Sequence, residues 1–153
     1  MKKQDYTVSI TLNATAAEVF KSINNVSKWW SEDLEGSPRN LHDQFTVHFG
    51  KTSITVQLVE LIPYKKIGWY VADCYKHFLK DKKEWKGTTM TWEISAAGNA
   101  TQISFTHTGL VPGLECYGAC EKAWDFYIKE SLFKLLTKGK GTPELKFKQK
   151  LSA

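Results

Sequence analysis

The stretch from residue 115 to residue 138 contains no proline and a single glycine, Gly118. Its apolar residues recur at steps of three and four, which predicts one unbroken helix that is buried on more than one side. At 1.5 Å per residue this helix would be about 35 Å long, enough to cross an entire sheet. The rest of the chain must therefore supply a large apolar surface for it to cover.

Residues 6–12 and long runs within residues 44–108 alternate apolar and polar side chains with the period of two that β-strands show. The alternation slips at Leu58-Val59, which predicts a β-bulge and a bend in the sheet. Short polar, glycine or proline segments separate the runs and predict turns at Gly50-Lys51, at 63–66 and at 97–99. We count six antiparallel strands, joined mostly by hairpins.

A first helix is expected directly after strand one, because Thr15 and Glu18 have the spacing of a capping box. Val19 and Ile23 lie on its apolar stripe. The sequence Lys28-Trp29-Trp30 then predicts a second short helical turn. Two small helices therefore separate strand one from the remaining strands.

This order of elements predicts an α+β protein of the helix-grip class. Its expected architecture is a curved antiparallel sheet of six to seven strands around a long carboxy-terminal helix, with two short helices after strand one. A chain of 153 residues is the size of one ordinary domain. No repeat or low-complexity tract divides it. We therefore expect a single domain over residues 1–153, with a core at about 6–141 and a basic tail at 142–153.

Composition and charge limit the environment and the partners. The net charge of +5 arises largely from residues 76–86 and from lysines after Leu132, and we interpret both regions as solvated surface. No nucleic-acid-recognition motif accompanies this charge, so nucleic acid is not an expected partner. The absence of a signal-peptide pattern and of long apolar windows predicts a cytoplasmic protein without membrane contact. An odd set of cysteines, Cys74, Cys116 and Cys120, predicts reduced thiols without a structural disulfide.

Several segments together resemble the START and Bet v 1-like (SRPBCC) superfamily. Within it, the similarity is to the branch named after the activator of the 90-kDa heat shock protein ATPase (AHSA-type). The resemblance covers residues 6–141 and is specific for the fold rather than for an activity. The segments that carry it are ATAAEVF at 14–20, WW at 29–30, VELIP at 59–63, THTGL at 106–110 and residues 124–136.

The resemblance implies a curved sheet and a helix that enclose a cavity. In many members of the superfamily the cavity holds a hydrophobic ligand, and other members cyclise or dehydrate polyketides. The co-chaperone that names the branch carries an additional amino-terminal domain that docks the chaperone. The leading hypothesis is a binding module for a small hydrophobic or aromatic molecule, without defined catalysis. The alternatives are a chaperone- or stress-related protein-interaction domain and a cyclase or hydrolase. In each case we expect a monomer or a homodimer.

The predicted cavity lies between the long helix and the inward face of the sheet. Aromatic side chains suit its walls because they are large and rigid, and Trp and Tyr keep a polar atom that can orient a guest. Core packing is the more common reason for such residues. The lining candidates are Trp30, near the mouth, together with Trp69, Trp92, Phe105, His107, Cys120, Trp124 and Tyr127.

His107 is the candidate with acid–base chemistry, and it could act as an acid, a base or a ligand anchor. The alternative is a core histidine whose hydrogen bonds are satisfied within the protein. Cys116 and Cys120, four residues apart, could join His107 as three metal ligands. Structural zinc usually draws cysteines from tight knuckles, so buried thiols are the favoured interpretation and no metal or cofactor is expected.

Overall fold

The computed structural model describes residues 5–145. Its strands are β1 (Tyr6–Leu12), β2 (Leu34–Gly36), β3 (Gln44–Phe49), β4 (Thr52–Ile62), β5 (Lys66–Tyr75), β6 (Thr89–Ala97) and β7 (Ala100–Thr108). All seven belong to one sheet of order β1-β7-β6-β5-β4-β3-β2, and every neighbouring pair is antiparallel. Strands β2 to β7 thus form a meander, and the last of them, β7, pairs with the first strand of the chain, β1.

The predicted capping box is confirmed at the start of α1 (Ala16–Asn24). The Thr15 hydroxyl accepts a hydrogen bond from the Glu18 N–H at 3.0 Å, and the Glu18 carboxylate accepts one from the Thr15 N–H at 3.0 Å. A short 3₁₀ turn, Val26–Lys28, follows and delivers the adjacent residues Trp29 and Trp30 into the core. Two small helices after strand one are therefore present, as predicted.

The carboxy-terminal helical region is continuous, but it is not uniformly α-helical. Its three consecutive segments, which we call the long helix, are α2 (Tyr117–Asp125), a π-helical segment (Phe126–Leu132) and α3 (Phe133–Lys138). Gly139, with a φ of 80°, ends it. The seven-stranded antiparallel sheet and this helix confirm the helix-grip prediction.

The long helix begins at Tyr117, two residues after the predicted start at Glu115. The backbone N–H groups of Glu115 and Cys116 donate to the two carboxylate oxygens of Glu84, at 3.1 Å each. The amino terminus of the helix is therefore capped by a side chain from the loop between β5 and β6. Sequence periodicity does not reveal a cap that comes from a distant segment.

The predicted bulge is confirmed in the pairing of β4 with β5. The register shifts between Leu58 and Glu60, where Val59 is the extra residue, and again between Thr55 and Val56. Each extra residue bends the strand and increases its twist, so the sheet curves.

A seventh strand, β2, is present where the sequence pattern indicates none. It pairs with β3 through three residues only, so it is too short to show an alternation. Gly36 ends it with a φ of 87°, and a Cβ atom there would lie 2.6 Å from the carbonyl oxygen of Gln44. The close strand approach therefore requires glycine at this position.

The prediction that the protein has no disulfide is wrong, because a disulfide joins Cys116 to Cys120. The two Cα atoms lie 5.6 Å apart, within the range for such bonds, since one helical turn separates the residues. Cys74 is the remaining free and buried thiol. An odd number of cysteines does not prevent two of them from pairing, and a spacing of four residues on a helix brings the two sulfurs together.

The chain after the long helix returns to the segment that carries the paired tryptophans. The Ser131 hydroxyl donates to the Trp29 carbonyl at 2.7 Å and accepts from the Thr142 N–H at 2.7 Å. Gly141 permits this contact, because a Cβ atom there would lie 2.5 Å from the Lys28 carbonyl oxygen. Residues 146–153, most of the predicted basic tail, lie outside the described part of the chain.

No helix among residues 5–145 is both long enough and apolar enough to cross a membrane. The longest helical region, at the carboxy terminus, carries charged residues on its outer side. This finding agrees with the sequence, in which no apolar window of that length occurs.

Replacing Ser131 by alanine should lower the free energy of unfolding by about 2 kcal/mol, because it leaves a carbonyl and an N–H without their buried partner. Chemical denaturation followed by far-UV circular dichroism measures the change. Ser104→Ala, on the outer face of the sheet, is the matched control and should alter stability by no more than about 0.5 kcal/mol. Equal effects of the two substitutions would contradict the assigned role of Ser131.

Candidate functional site

Stacked indole rings occupy the space between the long helix and the sheet. Trp124 of the long helix stacks on Trp30, with ring centroids 5.1 Å apart, and on Trp85, with centroids 5.9 Å apart and planes at 7°. Trp30 in turn stacks on Trp69 of β5 at 5.7 Å. We call these four residues the indole stack. It joins the helix, the 3₁₀-turn region, the sheet and the loop between β5 and β6.

His107 fixes the orientation of Trp124. The Trp124 indole N–H donates to His107 Nδ1 at 3.1 Å, so Nδ1 must be unprotonated. The proton therefore lies on Nε2, which donates to the Thr88 hydroxyl at 2.8 Å. That hydroxyl donates onward to the Trp85 carbonyl at 2.7 Å. These three hydrogen bonds fix which atoms donate and which accept. They connect Trp124 to Trp85, two members of the indole stack.

The surroundings of His107 keep it neutral. Complete burial, and secondarily the positive charge of Lys76, lower its pKa from 6.5 to about 3. A base this weak accepts protons poorly near neutral pH, and both of its nitrogens already bond to protein groups. The geometry therefore favours the satisfied core histidine over the general acid or base.

A cavity of about 330 Å³ opens beside the indole stack, between the long helix, strands β3 and β4 and the loop between β5 and β6. Four of the predicted lining residues contribute to its wall: Trp30, Cys120, Trp124 and Tyr127. Further walls come from Phe49, Ile54, Phe78 and Trp85. The surface is mostly apolar, and its polar groups belong to Thr52, Lys76, Tyr127 and Glu144.

The other four predicted residues, Trp69, Trp92, Phe105 and His107, are fully buried behind that wall. Phe105 fills the space between two indoles, with its ring centroid 4.4 Å from that of Trp92 and 4.6 Å from that of Trp124. The indole N–H groups of Trp69 and Trp92 have no hydrogen-bond partner among the described residues. These four side chains pack behind the residues that line the cavity and do not contribute to its surface.

The interpretation of residues 76–86 as a solvated loop is wrong for three of its residues. Lys76, Leu79 and Trp85 are each no more than 5% exposed. The signal that could have indicated this is the presence of Leu79 and Trp85 within an otherwise charged stretch. The neighbouring lysines dominate the composition of the stretch and obscure these two apolar anchors.

Lys76 is the lining residue with the most unusual environment. Its ammonium lies 3.7 Å from the centroid of the Trp85 ring and 5.6 Å from that of Phe78, which are cation–π distances. Burial lowers its pKa from 10.5 to about 8, against smaller opposing effects of Cys74 and Glu84. The side chain is therefore charged near neutral pH but poorly compensated.

Two carboxylates of the sheet, which could in principle face a cavity, lie elsewhere. Glu60 pairs with Lys66 at 3.3 Å and Asp73 with Lys83 at 2.8 Å, and neither lines the cavity. Cys116 and Cys120 are not available as metal ligands, because the sulfurs of a disulfide are not thiolates. Among residues 5–145 no group of three potential metal-ligating side chains converges.

No protein-family model matches the chain, and no curated protein matches it in sequence. Solved structures do share its architecture. The Aha1 dimer from Colwellia psychrerythraea is 21% identical with a TM-score of 0.75, over 90% of this chain and 99% of that one. SSP2350 from Staphylococcus saprophyticus is 9% identical with a TM-score of 0.70, over 93% and 98%.

A third similar structure is DynU16, a protein of the dynemicin biosynthetic locus. It is 16% identical with a TM-score of 0.64, and the match covers 88% of this chain but only 48% of that one. At these identities the likenesses establish the fold alone. They agree with the helix-grip architecture of this chain.

Lowering the pH from 6.5 to 4.5 should destabilise the protein by about 2 kcal/mol through His107, because the unfolded histidine takes up a proton that the folded one refuses. The contribution of neutral His107 to stability is fully present above its ordinary pKa of 6.5. It is lost as the pH falls toward the pKa of His107 in the folded protein, about 3. Urea denaturation across this range should show a smaller loss for His107→Gln, whose amide can keep both hydrogen bonds. Identical pH profiles for the two proteins would contradict the buried neutral state.

Proposed function

We propose that this chain is a binding module for a small hydrophobic or aromatic molecule, held in the cavity beside the indole stack. The observation that carries the proposal is the wall itself, in which Trp30, Trp85, Trp124 and Tyr127 present aromatic surface to a space of about 330 Å³. Ligand sites are typically concave and apolar, with a few polar groups that set orientation. Both features are present in this cavity.

The rigidity of the wall supports the same proposal. Trp124 is held by stacking on both Trp30 and Trp85 and by its hydrogen bond to His107. A ligand that enters a preformed wall does not have to order these side chains, so less binding energy is lost. In this proposal His107 is a positioning residue that fixes the Trp124 ring and does not contact the ligand.

A protein-interaction role is the second proposal. Its motive is the fold likeness to Aha1 from Colwellia psychrerythraea, whose solved structure is a dimer. Phe78, 58% exposed at the edge of the cavity, could take part in such a contact. Multi-angle light scattering at several concentrations distinguishes a homodimer from a monomer. A cyclase or hydrolase reaction receives less support, because His107 is enclosed and weakly basic.

We also retain the proposal of a cytoplasmic location, although the disulfide between Cys116 and Cys120 removes the thiol argument for it. Disulfides are uncommon in that compartment and are often redox-active when they occur there. Thiol alkylation in intact cells, followed by mass spectrometry, reports whether this pair is oxidised in vivo.

Filling the cavity should abolish binding without disturbing the fold. Ala123 is exposed and lines the cavity on the long helix, so Ala123→Phe places a ring in the space. We expect N-phenyl-1-naphthylamine, a neutral apolar fluorophore, to bind the wild type with enhanced emission. Its affinity should fall at least about tenfold in Ala123→Phe, which corresponds to about 1.4 kcal/mol.

The matched control is Thr137→Phe, which adds the same ring to an exposed position of the long helix away from the cavity. It should leave the dissociation constant within about twofold of the wild-type value, as is usual for distant surface changes. Failure of the fluorophore to bind the wild type, or equal affinity in the two variants, would contradict the proposed site.

A further inference from the structure

We propose that the ligand of this cavity is a monoanion, an apolar or aromatic body with one carboxylate or sulfonate group that pairs with Lys76. This inference rests on the proposed binding function and specifies the ligand class. It adds an anion-binding element to a cavity whose wall is otherwise apolar.

The position of Lys76 is set by the backbone of its loop. The residue follows directly after β5, and its N–H donates to the Lys82 carbonyl at 2.8 Å. The side chain is 5% exposed and forms part of the cavity wall. Its ammonium rests on the face of Trp85, the member of the indole stack nearest the loop. An anion within the cavity could therefore reach this ammonium without a change in the backbone.

The ammonium has no anionic partner in the described part of the chain. None of the ion pairs found among residues 5–145 includes Lys76, and no hydrogen bond from its ammonium occurs there. Glu84 is close enough to affect it electrostatically, but both of its carboxylate oxygens accept hydrogen bonds from the start of the long helix. A buried lysine normally has a partner, because burial of an uncompensated charge is unfavourable.

The contacts with Trp85 and Phe78 compensate the charge only in part. They act through the ring faces and leave the three N–H donors of the ammonium without acceptors. The lowered pKa of Lys76, about 8, is the result expected of incomplete compensation. A carboxylate or sulfonate would supply both the missing charge and the missing acceptors.

Glu144 indicates how such a ligand would lie. Its backbone N–H donates to the Trp30 carbonyl at 3.0 Å, so it joins the cavity at the Trp30 end of the stack, whereas Lys76 contacts Trp85. After burial, the charge of Glu144 is the second cause that raises the pKa of Tyr127 to about 12. Among the described residues, Lys76 is the only lysine or arginine that lines the cavity, so a second negative group on the ligand would find no cation to pair with. The cavity therefore favours a monoanion with its charge at Lys76 and its apolar body along Trp124.

Two fluorophores that differ by one group test the inference. N-phenyl-1-naphthylamine is neutral, and 8-anilino-1-naphthalenesulfonate is the same molecule with a sulfonate added. In Lys76→Met, which keeps the apolar stem, the affinity for the sulfonate should fall at least about tenfold. The affinity for the neutral probe should stay within about twofold. The control Lys80→Met, at an exposed lysine of the same loop, should leave both affinities within about twofold.

The outcomes separate the two proposals. If the neutral probe does not bind the wild type, the binding function itself fails. If it binds and Ala123→Phe blocks it, but Lys76→Met leaves the sulfonate affinity unchanged, only the anion inference is overturned. Equal losses for both probes in Lys76→Met would indicate a packing role, and equal losses in Lys80→Met would indicate general surface attraction. Each of these results would also overturn the inference.

A measurement on the unaltered protein covers the case in which Lys76→Met folds poorly. Raising the pH from 7 to 9 removes the charge of Lys76, since its pKa is about 8, while the sulfonate stays ionised. Sulfonate affinity should fall across this range and neutral-probe affinity should not. Other titratable groups line the cavity or interact electrostatically with Lys76, namely Cys74, Glu84, His107, Tyr127 and Glu144. A correctly folded Lys76→Met should show a flat profile, and a flat wild-type profile would overturn the inference.

Discussion

The position of Trp124 between two other indoles is the contact on which the rest of this structure depends. Trp30 arrives from the region after the 3₁₀ turn, Trp85 from the loop between β5 and β6, and Trp124 from the long helix. Aromatic pairs contribute about 0.5–1.5 kcal/mol each beyond their buried area. The hydrogen bond to His107 adds direction, because it fixes the plane of the Trp124 ring against the sheet. One side chain thus sets where the helix lies and which surface it presents.

The cavity is a consequence of the same arrangement. The extra residues Val59 in β4 and Ala72 in β5 curve the sheet, and large rings fill most of the space between the sheet and the helix. On the loop side the indole stack ends at Trp85, and the remaining space beside it is bounded by Phe49, Tyr127 and Lys76. The end of the aromatic packing is thus also the place where an uncompensated ammonium reaches the cavity. Packing and recognition therefore depend on the same residues.

The fold could be predicted from the sequence because most of its elements have local sequence signals. The capping box at Thr15, the slip at Leu58-Val59 and the long proline-free stretch each have a short-range cause, and each appears in the structure. The features that escaped prediction depend on distant contacts. The Glu84 cap of the long helix, the three-residue strand β2 and the partnership of Cys116 with Cys120 leave no periodic signal.

The candidate site was predictable only in part, for the same reason. Trp30 and Trp124 could be assigned to the interior from their neighbours, and both line the cavity. Lys76 could not, since a lysine in a charged stretch is normally solvated. Its burial follows from two anchors on the same loop, Leu79 and Trp85, which hold the segment against the core. The polar part of a site is therefore harder to predict than its apolar wall.

Native mass spectrometry of freshly purified, undialysed protein is the most direct test of ligand binding, because it shows whether the cavity carries a molecule of its own. We expect a second species, heavier by the mass of one small organic acid, that disappears on denaturation. Extraction and negative-ion analysis should then find a compound with one acidic group on an apolar or aromatic body. A bound neutral lipid or a bound polyanion would contradict the monoanion assignment. Protein at its bare mass that also fails to take up apolar probes would contradict the cavity's role in binding.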